Sequence, residues 1–143
     1  MAALAQAWDP LEVGGVLAGY WKEDAVVITD VVGPGEHAQH RRHTFLPDHA
    51  FHAEEIARLY TASQGTHVYL GDWHTHPSGA PRLSPMDKRT LRAIAISPEA
   101  RCPRPIMALL SGCGQIWQSQ VFTLGQDRGL LSPAVELAEL RLF

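Results

Sequence analysis

The sequence predicts a mixed α+β (α/β) domain, a mixed sheet flanked by helices. Short β-branched or apolar runs come in neighbouring pairs joined by turn residues, which reads as antiparallel hairpins. Two segments with helical apolar spacing interrupt those runs. The helices do not alternate regularly with the strands, which disfavours a purely parallel βαβ array. The chain has 143 residues. That is one domain by length, and enough to bury a core without disulfide or metal staples.

Residues 1–8 are alanine-rich and read as a short helix or a frayed end. Glu12 to Trp21 reads as a strand whose glycines allow close backbone approach. Ala25 to Val32 is strongly β-branched and should pair with it as a hairpin. His37, His40 and His43 follow the break at Gly33-Pro34-Gly35; their spacing of three would suit a helix face, but the segment that follows looks extended, and a polar surface loop is the reading of that stretch. Asp48 is the expected N-cap of a helix with an apolar stripe at Ala53, Ile56, Ala57 and Tyr60, widened by Phe51 and Leu59 and stopped near Gly65. Val68 to His76 reads as the central strand, with Pro85 to about Ile96 as a second helix carrying Leu91, Ile94 and Ala95 inward. Ile106 to Leu110 is a continuous apolar run, hence a buried strand, and Gln115 to Phe122 alternates as its antiparallel neighbour. Ser132-Pro133 should open a short terminal helix over about 132–141, carrying Val135, Leu137 and Leu140.

Composition excludes several function classes. Charged residues are 19% and hydrophobic ones 45%, a globular balance. The net charge is −3 with no long basic run, so nucleic acid is not the expected partner. No apolar run reaches the roughly 18 residues of a membrane span, and no secretory leader is read. Cys102 and Cys113 form no Cys-x-x-Cys and suit reduced thiols, so a cytoplasmic protein is expected.

The chemistry gathers in Trp73-His74-Thr75-His76-Pro77 and Ser84-Pro85-Met86-Asp87. On a strand, the period of two puts His74 and His76 on one face. Two imidazole nitrogens and one carboxylate oxygen brought back by a turn make a three-ligand site. Its open fourth position is the layout of a catalytic zinc rather than a structural one. Ser84 to Asp87 also has a purely structural reading as a helix start, with Ser at the N-cap, Pro next and an acid at N3. The two readings are compatible, because the cap would fix Asp87 beside the strand end.

The spacing His74-x-His76-Pro77, six residues, Ser84, two residues, Asp87 resembles the signature of the JAMM (MPN+, Mov34/PAD-1) zinc isopeptidases. Leu11-Glu12-Val13-Gly14-Gly15-Val16-Leu17 resembles the upstream glutamate segment of the same family, and the likeness runs from about residue 11 to about 122. It implies a cytidine-deaminase-like curved sheet. It also implies one zinc per chain on His74, His76 and Asp87, with Glu12 as general base and Ser84 as oxyanion donor. The implied substrate is an isopeptide or peptide bond after the C-terminal tail of a ubiquitin-like protein, the tail bound as an extended strand. The segments Phe45-Leu46-Pro47 to His52, Arg58 to Ser63 and Tyr69 to His74 look most like bacterial members found beside ubiquitin-like conjugation enzymes, often in anti-phage operons. Asp72 would either orient a ligand histidine or stand exposed. The rival readings are a RadC-like JAB protein and a non-catalytic MPN scaffold. A nucleobase deaminase is disfavoured, because no His-x-Glu with Pro-Cys-x-x-Cys occurs.

Overall fold

A computed structural model describes residues 1–23, 25–125 and 133–139. The elements are α1 (Ala2–Trp8), β1 (Gly14–Lys22), β2 (Ala25–Val32), β3 (Gln39–Arg41), β4 (Thr44–Leu46), α2 (His49–Ala62), β5 (Val68–Pro77), α3 (Pro85–Ile96), β6 (Ile106–Cys113), β7 (Ile116–Leu124) and β8 (Val135–Ala138). Six strands form one mixed sheet in the order β2-β1-β5-β6-β7-β8, and β3 and β4 form a separate ribbon. Every pairing in the main sheet is antiparallel except β5 with β6, which α3 connects. Among the described residues no helix is long and apolar enough to cross a membrane.

The sheet buries both faces. On one, Leu17, Leu70, Trp73, Ile106 and Ala108 pack with Val13 and with Ala5 of α1. On the other, Val16, Ala18 and Val32 meet Leu59 of α2, and Met107 and Leu109 meet Leu91 of α3. Burial on both sides explains why β6 reads as a continuous apolar run rather than an alternating one.

A bulge in β5 decides which side chains share a face. Leu17 pairs with Gly71 but Ala18 pairs with Tyr69, so Leu70 is an extra residue. Gly71 takes φ +143°, and a Cβ there would stand 1.8 Å from the Ile106 carbonyl oxygen, so only glycine fits. After the bulge, Trp73 and Thr75 point toward α1, while Asp72, His74 and His76 lie on the side of α2 and α3.

Three expectations are corrected. The terminal helix expected over about 132–141 is instead strand where it is described: Val135–Ala138 pairs antiparallel with β7, with Val135 opposite Leu124 and Leu137 opposite Phe122. Residue 132 and residues 140–141 lie outside the described part. Val135 and Leu137 are two apart, a strand spacing, and the edge of β7 supplies the backbone partners that a short helix would lack. The stripe of α2 is rotated by about one position. His52 and Leu59 are the buried residues and Tyr60 is 51% exposed, because the His52 ring reaches under the helix to hydrogen-bond the Gly33 carbonyl at 2.8 Å. His40 lies on β3 of a two-stranded ribbon and His43 in its turn, so the polar loop expected there is partly strand, while His37 precedes it.

Candidate metal and catalytic centre

The centre lies at the carboxyl end of β5, where the chain leaves the sheet toward α3. Ser78 and the residues to Leu83 form the return loop. Its backbone is tied to β6 by the Ser78 N–H donating to the Gly112 carbonyl at 2.6 Å. Ser84 then caps α3 reciprocally. The Asp87 N–H donates to Ser84 Oγ at 3.1 Å, and the Ser84 N–H donates to Asp87 Oδ2 at 2.7 Å. This capping box aims the Asp87 carboxylate at β5.

His74, His76 and Asp87 converge. The two Nε2 atoms are 3.1 Å apart. Asp87 Oδ1 stands 3.4 Å from His74 Nε2, and Oδ2 stands 3.5 Å from His76 Nε2. The three side chains are 12%, 17% and 16% exposed. Ligands about 2.0–2.1 Å from a tetrahedral zinc stand roughly 3.3 Å from one another, so the observed separations fit such an ion. The Asp87 carboxyl, which burial alone would raise, is held far below its ordinary value by hydrogen bonds from His74 and His76. His76 is raised, first by its hydrogen bond to Asp87, and its backbone partner Ala80 steadies the ring.

Glu12 joins them from across β1. Gly14 pairs with His74, and the register is extended by a buried clamp. The Val13 N–H donates to Thr75 Oγ1 at 3.0 Å, and the Thr75 N–H donates to the Val13 carbonyl at 2.8 Å. Glu12 therefore falls level with His76. Burial pushes its carboxyl above the ordinary value, against the pull of His74 and His76. A carboxylate so placed is a better proton acceptor than one in water.

His74, His76 and Asp87 thus converge, Ser84 bonds Asp87, and Glu12 stands level with His76 across the strand pair. Asp72 is half-buried rather than exposed, and its hydrogen bond is to Tyr69. The bulge puts it beside Tyr69, whose hydroxyl donates to Asp72 Oδ1 at 2.6 Å; burial raises its carboxyl. Sequence reasoning missed Thr75, whose only signal was its place between the histidines, and His40, which the histidine triplet marked without revealing its contacts. Beside the centre opens a cleft of about 530 Å³ lined by His76, Leu83, Ser84 and the cations Arg82 and Lys88.

Residues 1–123 match the family model of prokaryotic homologs of the JAB domain. A "Probable metalloprotease y4qB" of Sinorhizobium fredii is 44% identical over 138 residues, covering 92% of this chain and 82% of that protein. A "CD-NTase/cGAS isopeptidase" of Vibrio cholerae is 30% identical over 106 residues, 74% of this chain and 65% of that longer protein. The solution structure of protein DSY2949 from Desulfitobacterium hafniense has the same fold, with a TM-score of 0.64 over 97% of this chain and 83% of that one at 23% identity. The chain belongs to the family of prokaryotic homologs of the JAB domain, and it is a metallopeptidase of that family.

Proposed function

We propose that this metallopeptidase is zinc-dependent and hydrolyses the amide bond that follows the C-terminal tail of a ubiquitin-like protein, in a conjugate or in a precursor. The observation that carries the reading is the convergence of His74 Nε2, His76 Nε2 and the Asp87 carboxylate, with a half-buried glutamate of raised pKa in their field. His74, His76 and Asp87 would hold the ion. A bound zinc supplies Lewis acidity and brings the pKa of water from about 15.7 toward about 7. The work of the chain is positional and protonic. Glu12 accepts the proton of the attacking water and delivers it to the departing amine nitrogen. Ser84 Oγ already accepts the Asp87 N–H, which leaves its own proton to donate to the carbonyl oxygen as negative charge develops there.

The isopeptidase names of several relatives at about 30% identity support a protein conjugate as substrate; a place in a bacterial anti-phage conjugation system rests on the sequence resemblance alone. An extended tail suits the site, because among the described residues β4 pairs only with β3, leaving its other edge open, and its Phe45 ring lies against Gly14, next to His74. The deciding experiment measures zinc content and cleavage of a ubiquitin-like protein bearing a C-terminal extension. About one zinc per chain and cleavage at the tail support the reading. Failure to take up zinc, or zinc uptake with the tail bond left intact, overturns it.

A further inference from the structure

Glu12 lies outside the regular elements, two residues before β1, yet both of its main-chain groups are engaged. Its N–H donates to the Arg41 carbonyl at 2.8 Å. Its carbonyl accepts from His40 Nδ1 at 2.9 Å. A carbonyl oxygen can only accept, so the contact requires a proton on Nδ1. The imidazole is itself gripped. The Trp8 indole stacks on it with centroids 3.4 Å apart and planes 12° from parallel, and Phe45 meets it at a tilt with 5.4 Å between centroids. Helix α1 and the β3–β4 ribbon, distant in sequence, therefore meet around one ring that touches Glu12.

We propose that His40, clamped by Trp8, is a positioning residue for Glu12. This rests on the reading of Glu12 as the general base. A catalytic carboxylate has to be held within about 0.5 Å of its productive place, which an irregular segment does not do alone. The ribbon supplies the missing strand partner: Arg41 takes the N–H of Glu12, and His40 replaces the second ladder bond with a side-chain donor. The ring is stiff and packed between two other aromatic rings, so it transmits little slack. The same stack ties α1 to the site through Trp8.

The test uses His40→Ala, His40→Asn and Trp8→Ala in the full chain. Asn carries an N–H donor where His carries Nδ1, so it should restore what Ala loses. Amide hydrogen exchange on the metal-free protein reads how tightly the ribbon holds this segment, through the Glu12 N–H that the Arg41 carbonyl binds. Exchange at Glu12 should accelerate by about tenfold or more in His40→Ala, return toward wild type in His40→Asn, and stay unchanged across β6. With zinc loaded, and with the extended ubiquitin-like protein as probe, His40→Ala should lower kcat by about 10–100-fold with KM and zinc content unchanged. In a Glu12→Gln background the same change should cost nothing further. Unchanged exchange at Glu12, or an equal additional loss on top of Glu12→Gln, overturns the proposal. Full activity in Glu12→Gln itself would instead overturn the general-base reading, with the exchange result still deciding whether the anchor exists.

Discussion

Glu12 carries two opposed demands that a single substitution separates. Its carboxyl is raised by burial, so the folded state binds its proton more tightly than the unfolded chain does. Stability is therefore drained as pH rises through the unfolded value and beyond. Glu12→Gln removes that ionisation. Its melting temperature in the metal-free protein, followed by circular dichroism at neutral pH, should equal or exceed wild type, while turnover falls by at least about 10²-fold. Ser84 has the reverse character, because its side chain both caps α3 and faces the cleft. Ser84→Ala should lose about 10²–10³-fold in rate and also about 1 kcal/mol of stability in denaturant titration; Ser84→Asp keeps a cap and should recover the stability without the rate. The cysteines offer a control on the fold. Burial pushes the Cys102 thiol up to about 11, and it lies against the Leu70 carbonyl, whereas Cys113 is exposed. A thiol reagent at about pH 8 should label one cysteine in the native protein and both after denaturation.

Between the elements, the decisive joint is β1 against β5. Thr75 is fully buried, and its hydroxyl is the acceptor for the Val13 N–H. Thr75→Val keeps the shape but strands that N–H, which should cost about 1–3 kcal/mol in denaturant titration and lower kcat by releasing the segment that carries Glu12. Much of this joint is legible from residue patterns. The helix-start chemistry of Ser84-Pro85-Met86-Asp87 specifies α3 at its first residue, and period two puts His74 and His76 side by side. What the pattern hides is tertiary. The extra residue at Leu70 turns Asp72 toward Tyr69, and no periodicity within β5 announces a bulge dictated by its neighbour β1. The stripe of α2 misleads because a buried polar residue, His52, outcompetes Tyr60 by finding a carbonyl partner. β8 is hidden for a similar reason: four residues at Val135–Ala138 have little local preference, and the open edge of β7 decides for them.

For the molecule as a whole, metal and proton compete for the same atoms. His76 is raised, chiefly by Asp87, and an ion requires the neutral ring. Apparent zinc affinity, read by competition with a chromophoric chelator, should therefore begin to fall on acidification at a higher pH than an ordinary histidine of about 6.5 dictates. Zinc at about 100-fold over its dissociation constant should stabilise the fold by about 2.7 kcal/mol; chelation should reverse the rise in melting temperature, and Asp87→Ala should abolish it. The spacing of the centre along the chain adds a temporal dimension. His74, His76 and Asp87 belong to one β5–α3 passage, whereas Glu12 reaches them only when β1 lies along β5. Contacts close in sequence close first and cheaply, and distant ones later. On the proposed reading the ion's ligands lie within one short passage and Glu12 completes the centre only when the amino-terminal strand docks, so that a half-made molecule is a harmless one.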